Sequence, residues 1–332
     1  MLKNIRLGFC FSIIFLLITA CGVTQGANSS VDTEHKELQE IEKEVSEYAV
    51  VEMENNEHDL VFTEAPERAV TLNQHVTEVM LALGLEDSIV GTAYLDDEIL
   101  PEFKAAYDQI PVLSDQYPSQ EVFLAEEPDF AYAGWKSAFR EDNVGTVEQL
   151  EEFGINAYLH ESSSVVGPTI EHIFQDIRNI AKIFNVVERG EALINEMNIE
   201  LEEIQANIPV NNKPVNIFVY DSGDTAPFTV GQNFLNTIIE MAGATNIFND
   251  IDSNWGEVSW EVVVERDPEV IVIVDYGETT AEEKREQLMN HPALTDVTAI
   301  LNQEFIVMPL SAAAEGVRVP SALEIIVNGL YE

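Results

Sequence analysis

Basic residues are scarce in this chain. Sixteen Lys+Arg stand against 60 Asp+Glu in 332 residues, a formal charge of −44. Such a surface repels nucleic-acid phosphates and anionic lipid headgroups, which argues against both as partners. The plain reading of the excess is a solvated outer surface suited to salt or high pH, where carboxylates stay hydrated and screened. Cysteine is nearly absent too. Of the two present, Cys10 lies in the N-terminal apolar run and Cys21 just beyond it. No disulfide framework supports the body, and a body of this length buries enough core without one. HExxH, GxSxG, a cysteine nucleophile and a phosphate-cradling glycine loop are all missing, which argues against an enzyme. The apolar run from Leu7 to Ile18 is too short for a span of about 20 residues.

That run, preceded by Lys3 and Arg6 and followed by small residues, has the form of a secretory leader, expected over 1–20. Ile18-Thr19-Ala20-Cys21 resembles the bacterial lipobox, which implies lipidation of Cys21 and attachment to the outer face of the cell membrane. Residues 21–60 read as an acidic tether, with Leu38, Ile41 and Val45 at helical spacing.

A repeat organises the rest. Ser119-Gln120-Glu121-Val122 through Pro128-Asp129, then Phe130 to Gly134, is matched by Ser259-Trp260-Glu261-Val262 through Pro268-Glu269, then Val270 to Asp275. Each copy is a short serine-capped helix, a proline stop and a buried strand. Strands alternate with helices on both sides of it, which predicts an α/β fold with parallel sheets in two Rossmann-like lobes, 61–167 and 210–332. Between them, residues 168–209 keep an apolar helical face from Ile170 to Phe184 and again from Leu193 to Ile204, with a break near 185–190. This predicts a long, stiff connecting helix and a ligand cleft between the lobes.

Ligands of open parallel sheets bind beyond the carboxyl ends of the strands. Those positions hold Asn73, Gln74, His75, Tyr94, Trp135, Lys136 and Ser162 in the first lobe. The second lobe offers Asp221, Phe228, Tyr276 and Arg318. Aromatic walls with a few directed polar groups suit an organic ligand. Glu121 and Glu261 are expected on matching rims of the two lobes, placed to meet basic pockets on a two-fold partner.

The chain resembles the class III substrate-binding proteins of ABC importers for iron-siderophores and vitamin B12. The resemblance runs over 66–330 and rests on Pro66 to Leu72, Glu78 with Leu83-Gly84-Leu85, Gly91-Thr92, both repeats, Phe228-Thr229-Val230-Gly231 and Gly243 to Phe248. It implies a monomer of two rigidly joined lobes with small opening motions. It also implies that Glu121 and Glu261 dock on arginines of an ABC permease dimer, which works with its ATPase. Within the family the chain is most similar to Gram-positive siderophore binders. A ferric siderophore is therefore the expected ligand, with cobalamin or haem as alternatives of the same class and no resident cofactor. A different class, direct Zn²⁺ or Mn²⁺ binding through His75 and His160 with carboxylates, is the remaining alternative.

Overall fold

The computed structural model describes residues 48–210 and 213–332. The leader, Cys21 and most of the expected tether fall outside the described residues.

Two parallel sheets form the body. In the first lobe, β3 (Ala69–Leu72), β4 (Ile89–Ala93), β5 (Val112–Ser114), β6 (Phe130–Ala133) and β7 (Asn156–Leu159) lie in the order β5-β4-β3-β6-β7. In the second, β8 (Asn216–Tyr220), β10 (Thr245–Asn246), β12 (Val270–Asp275) and β13 (Phe305–Pro309) lie in the order β10-β8-β12-β13. Every neighbouring pair in both is parallel. All of β3 and β6 is buried, and β12 is buried from Val270 to Val274. Parallel strands covered on both faces read as unbroken apolar runs, which is why these strands were visible in the sequence.

The sequence repeat is also a structural one. Ser119 and Ser259 accept the amides of Val122 and Val262 at the helix N-termini, each at 3.4 Å. Phe123 and Val263 point into the core. Glu127 and Asp267 then take left-handed backbone, φ 49° and 37°, before the prolines. The next acid ties the unit to its sheet. Asp129 accepts the amides of Glu67 and Arg68 just ahead of β3, and Glu269 accepts the amide of Asn216 at the start of β8.

The long connecting helix is broken where the sequence pattern breaks, near 185–190. The segment forms two helices, Ile170–Ile183 and Val187–Gln205, separated at Asn185, whose φ is 56°. At 1.5 Å per residue they measure roughly 21 and 28 Å. They pack on each other at the turn, where a Cβ on Gly190 would lie only 2.6 Å from that of Ala181. The second helix reaches both lobes. Its Arg189 donates to Leu83 O and Gly84 O of the first, and its flank packs on the terminal helix Val319–Tyr331 of the second.

The tether is also shorter than expected. Strands β1 (Val51–Asn55) and β2 (His58–Phe62) form an antiparallel hairpin. Its turn residues Asn56 and Glu57 both have positive φ, as a tight hairpin requires. The side chain of Asn55 donates to Leu159 O at 2.8 Å and accepts from Leu159 N at 2.7 Å. It thereby completes the open edge of β7. Leu60 and Phe62 join the main apolar core, so the fold includes residues assigned to the linker.

Candidate functional site: a cleft between the lobes

In each sheet the strand order reverses direction of growth at one place, between β3 and β6 in the first lobe and between β8 and β12 in the second. Beyond the carboxyl ends there stand Asn73 and Trp135 on one side, Asp221 and Tyr276 on the other. Two of the chain turns here are strained. Asn73 (φ 101°) and Tyr94 (φ 60°) both depart from ordinary backbone directly after a strand, as residues at functional sites often do.

A cavity of about 260 Å³ opens between the lobes. Trp135, Lys136, Ser163 and Ser164 line it from the first lobe. Asn233, Asn254, Trp255, Leu310 and Ala313–Glu315 line it from the second. Phe228 lies flat on Trp255, with ring centroids 5.7 Å apart and an interplanar angle of 5°. These two rings come from a side ribbon, β9 (Phe228–Val230) paired with β11 (Trp255–Glu257). Tyr94 packs edge-on against Tyr117 at 4.7 Å and lies within electrostatic reach of Tyr276 in the other lobe. The phenol of Tyr276 donates to Asp221 at 2.7 Å, and the Lys284 ammonium sits 4.3 Å from the centre of its ring. Burial and the Asp221 carboxylate together push the Tyr276 hydroxyl well above its ordinary range.

Several expected ligand residues instead build the floor and its supports. Gln74 is buried, accepts the amides of Asp96 and Asp97 and donates to Glu98 O, pinning that loop. Asn73 accepts from the Tyr117 hydroxyl at 2.9 Å. His75 is buried beneath Trp135, ring centroids 5.0 Å apart, and against His160 at 5.4 Å. A Cβ on Gly316 would sit 2.9 Å from the His75 Cβ, so that position needs glycine. Ser162 is fully buried, its amide held by Asp176. Arg318 has a partner the sequence reading did not name. Its fork grips Glu78, and Nη2 also donates to Glu98 O. A direct ligand contact by Arg318 would have to break this pair.

Trp135, Lys136 and Phe228 are thus the expected residues on or against the cavity wall. Ser163 and Ser164 fall in the stretch from His160 to Ser164 expected beyond the last strand of the first lobe, whereas Trp255, Asn233, Asn254 and Glu315 were not anticipated. The side ribbon carries no long apolar run to mark it; the one signal was Trp255 amid Ser253, Asn254 and Gly256, a loop-rich setting for an indole. Among the described residues, no group of three or more His, Cys, Asp or Glu is arranged to hold a metal ion.

Glu121 and Glu261 are both exposed, each in the first turn of its repeat helix. Hydrogen bonds from its own backbone and from Ser259 hold the Glu261 carboxyl below its ordinary value.

The family described as periplasmic binding protein matches residues 70–312. This chain belongs to that family. The binding protein is 24% identical over 231 residues to an uncharacterized ABC transporter substrate-binding lipoprotein of Bacillus subtilis, covering 69% of this chain and 70% of that one. It is 28% identical over 214 residues to a vitamin B12-binding protein of Vibrio campbellii, covering 64% and 73%. Among solved structures, a periplasmic binding protein from Veillonella parvula is 32% identical with a TM-score of 0.79, over 85% of this chain and 97% of that one. An Fe³⁺-hydroxamate transport protein from Saccharomonospora viridis shares the fold, with a TM-score of 0.71 at 24% identity, over 85% and 99%. Membership makes this chain a substrate-binding protein of the importer type, acting outside the cytoplasmic membrane, and not an enzyme.

Proposed function

We propose that the binding protein captures an uncharged metal chelate with flat apolar faces in the inter-lobe cleft and delivers it to an ABC permease and its ATPase. The observation that carries this reading is the lining of the cleft. Two indoles, Trp135 and Trp255, face it from opposite lobes amid amides and hydroxyls, and no cluster of cations is present to hold a polyanion. A corrinoid, whose rim is rich in carboxamides, fits that chemistry best, and curated relatives named for vitamin B12 and cobalamin support it. The ferric siderophore expected from the sequence is the second reading. An uncharged ferric hydroxamate would meet the same neutral lining, whereas a highly charged catecholate would meet an acidic protein without basic groups to receive it. Ligand sites of this kind usually occupy about 300–1,000 Å³. The cleft as described is smaller, so the lobes part to admit either chelate.

Delivery rests on the two exposed glutamates. Glu121 and Glu261 occupy equivalent positions in the repeat helices of the two lobes, a pairing suited to a two-fold permease. Lipidated Cys21 would hold the protein at the membrane, with the acidic residues before Tyr48 as a leash.

Quenching of tryptophan emission by cyanocobalamin, a neutral ferric hydroxamate and haemin tests the ligand. Saturable quenching by cyanocobalamin at micromolar concentration or below, lost in Trp255→Ala, is expected. Saturation by the ferric hydroxamate alone moves the assignment to the second reading. Saturation by haemin alone, or by free Zn²⁺ or Mn²⁺, rejects both.

A further inference from the structure

We propose that the carboxyl of Glu315 is a proton-operated latch of the cleft: neutral, it is accommodated in the closed wall where the Leu310–Glu315 segment of the second lobe meets Ser163 of the first, and ionised, burial beside Asp176 outweighs the Ser163 bond and favours the opened, hydrated wall. The geometry is specific. Glu315 is 7% exposed and stands in the cavity wall. Its Oε2 accepts from the Ser163 hydroxyl across the lobe boundary at 3.2 Å.

What surrounds the carboxyl decides its charge. Asp176, on the helix Ile170–Ile183, is 1% exposed and close enough to repel it. His160 and His75 are buried on the same floor, but neither supplies a cation. Burial pushes His160 down to about 3, and burial followed by the neighbouring His160 pushes His75 well below its ordinary value. Arg318, on the same segment as Glu315, is committed to Glu78. Lys136 lines the same cavity from the other lobe but is itself exposed. An ionised Glu315 would therefore be a buried anion beside a second acid, without a buried cation to pair with.

The consequence is a raised titration. Burial lifts the Glu315 carboxyl to about 7, its own backbone amide and Ser163 pull the other way, and Asp176 adds to the rise. Asp176 is raised by burial as well, though the amides of Glu161 and Ser162 and the Tyr158 hydroxyl support its ionised form. The closed wall thus binds the Glu315 proton more tightly than an opened, hydrated one, where the ordinary value is 4.5. By linkage, closure is favoured at low pH and weakens as pH rises from there through about 7. Water reaches the carboxyl by separation of the two walls of the cavity, so opening is the relaxation that ionisation favours. The latch would make the cleft grip at mildly acid pH and loosen at alkaline pH.

Hydrogen–deuterium exchange of the purified protein without any chelate, corrected for intrinsic rates, tests this. In the wild type, protection of 310–318 and 161–167 is expected to fall about tenfold between about pH 6 and 8.5. Glu315→Gln should hold protection level across that range. Ser163→Ala keeps the carboxyl but removes its partner, and should lower protection at pH 6 toward the wild-type level at pH 8.5. Unchanged protection of Val187–Gln205 marks an intact fold in both variants. Wild-type protection that is flat with pH, or a fall of equal size in Glu315→Gln, overturns the latch. Because no chelate is present, either result leaves the ligand assignment to be judged separately.

Discussion

Arg318 of the second lobe and Glu78 of the first form a two-pronged ion pair, with Nε 2.7 Å from Oε2 and Nη2 2.5 Å from Oε1. Glu78 is 1% exposed and the Arg318 side chain 12%. Oε1 also accepts the amide of Leu100, and Arg318 donates to Ser311, whose hydroxyl reaches Asp97 across the boundary. The pair is the centre of a polar seam across the lobe boundary.

Removing one member of such a pair leaves a buried charge alone, which costs about 3–5 kcal/mol. Arg318→Met is expected to lose stability on that scale in urea unfolding. Glu78→Gln with Arg318→Met should recover a substantial part of it. Additive losses in the double variant would show that the two residues do not act as a pair.

The hairpin before the first lobe is held by Asn55. Asn55→Leu strands the amide and carbonyl of Leu159, and unmet buried groups cost about 1–3 kcal/mol each. A drop of that order in chemical denaturation is expected. An unchanged midpoint would return residues 48–60 to the linker.

Histidine burial gives stability its own pH dependence, opposite in sign to that of Glu315. His160 is lowered from 6.5 to about 3. Its contribution is complete above 6.5 and declines as pH falls toward 3, at about 1.4 kcal/mol per pH unit where the unfolded imidazole alone takes up the proton. His160→Gln should flatten the acid limb of a stability–pH curve. An acid limb of unchanged slope would mean that other groups carry it.

The paired glutamates separate binding from delivery. Glu121→Ala with Glu261→Ala is expected to leave chelate affinity within about twofold, since both side chains are exposed and neither lines the cleft. Uptake by cells carrying this variant should fall to background. Normal uptake would remove the docking role.

Much of the fold was legible because its strands are short, apolar and doubly covered. Phe130–Ala133 and Val270–Asp275 stand where the repeat placed its strands. The repeat announced the second lobe, because each copy spells out a cap, a stop and a strand anchor locally. Two things were not legible. Residues 51–62 alternate polar and apolar weakly amid acids, so the hairpin was hidden in a linker-like composition. Arg318 and Glu78 are 240 positions apart, and no local pattern reports such a contact. The site divides along the same line. Trp135 follows a recognisable strand by one residue of glycine, whereas Trp255 rides a three-residue strand outside either main sheet.

Titration calorimetry of cyanocobalamin into the wild type and into Trp135→Ala/Trp255→Ala probes the cleft most directly. One chelate per chain is expected, with affinity reduced about a hundredfold when both indoles are gone, each stacked aromatic contributing about 0.5–1.5 kcal/mol beyond the area it buries. Equal affinity in the two proteins, or a stoichiometry other than one, would contradict a chelate held between the lobes.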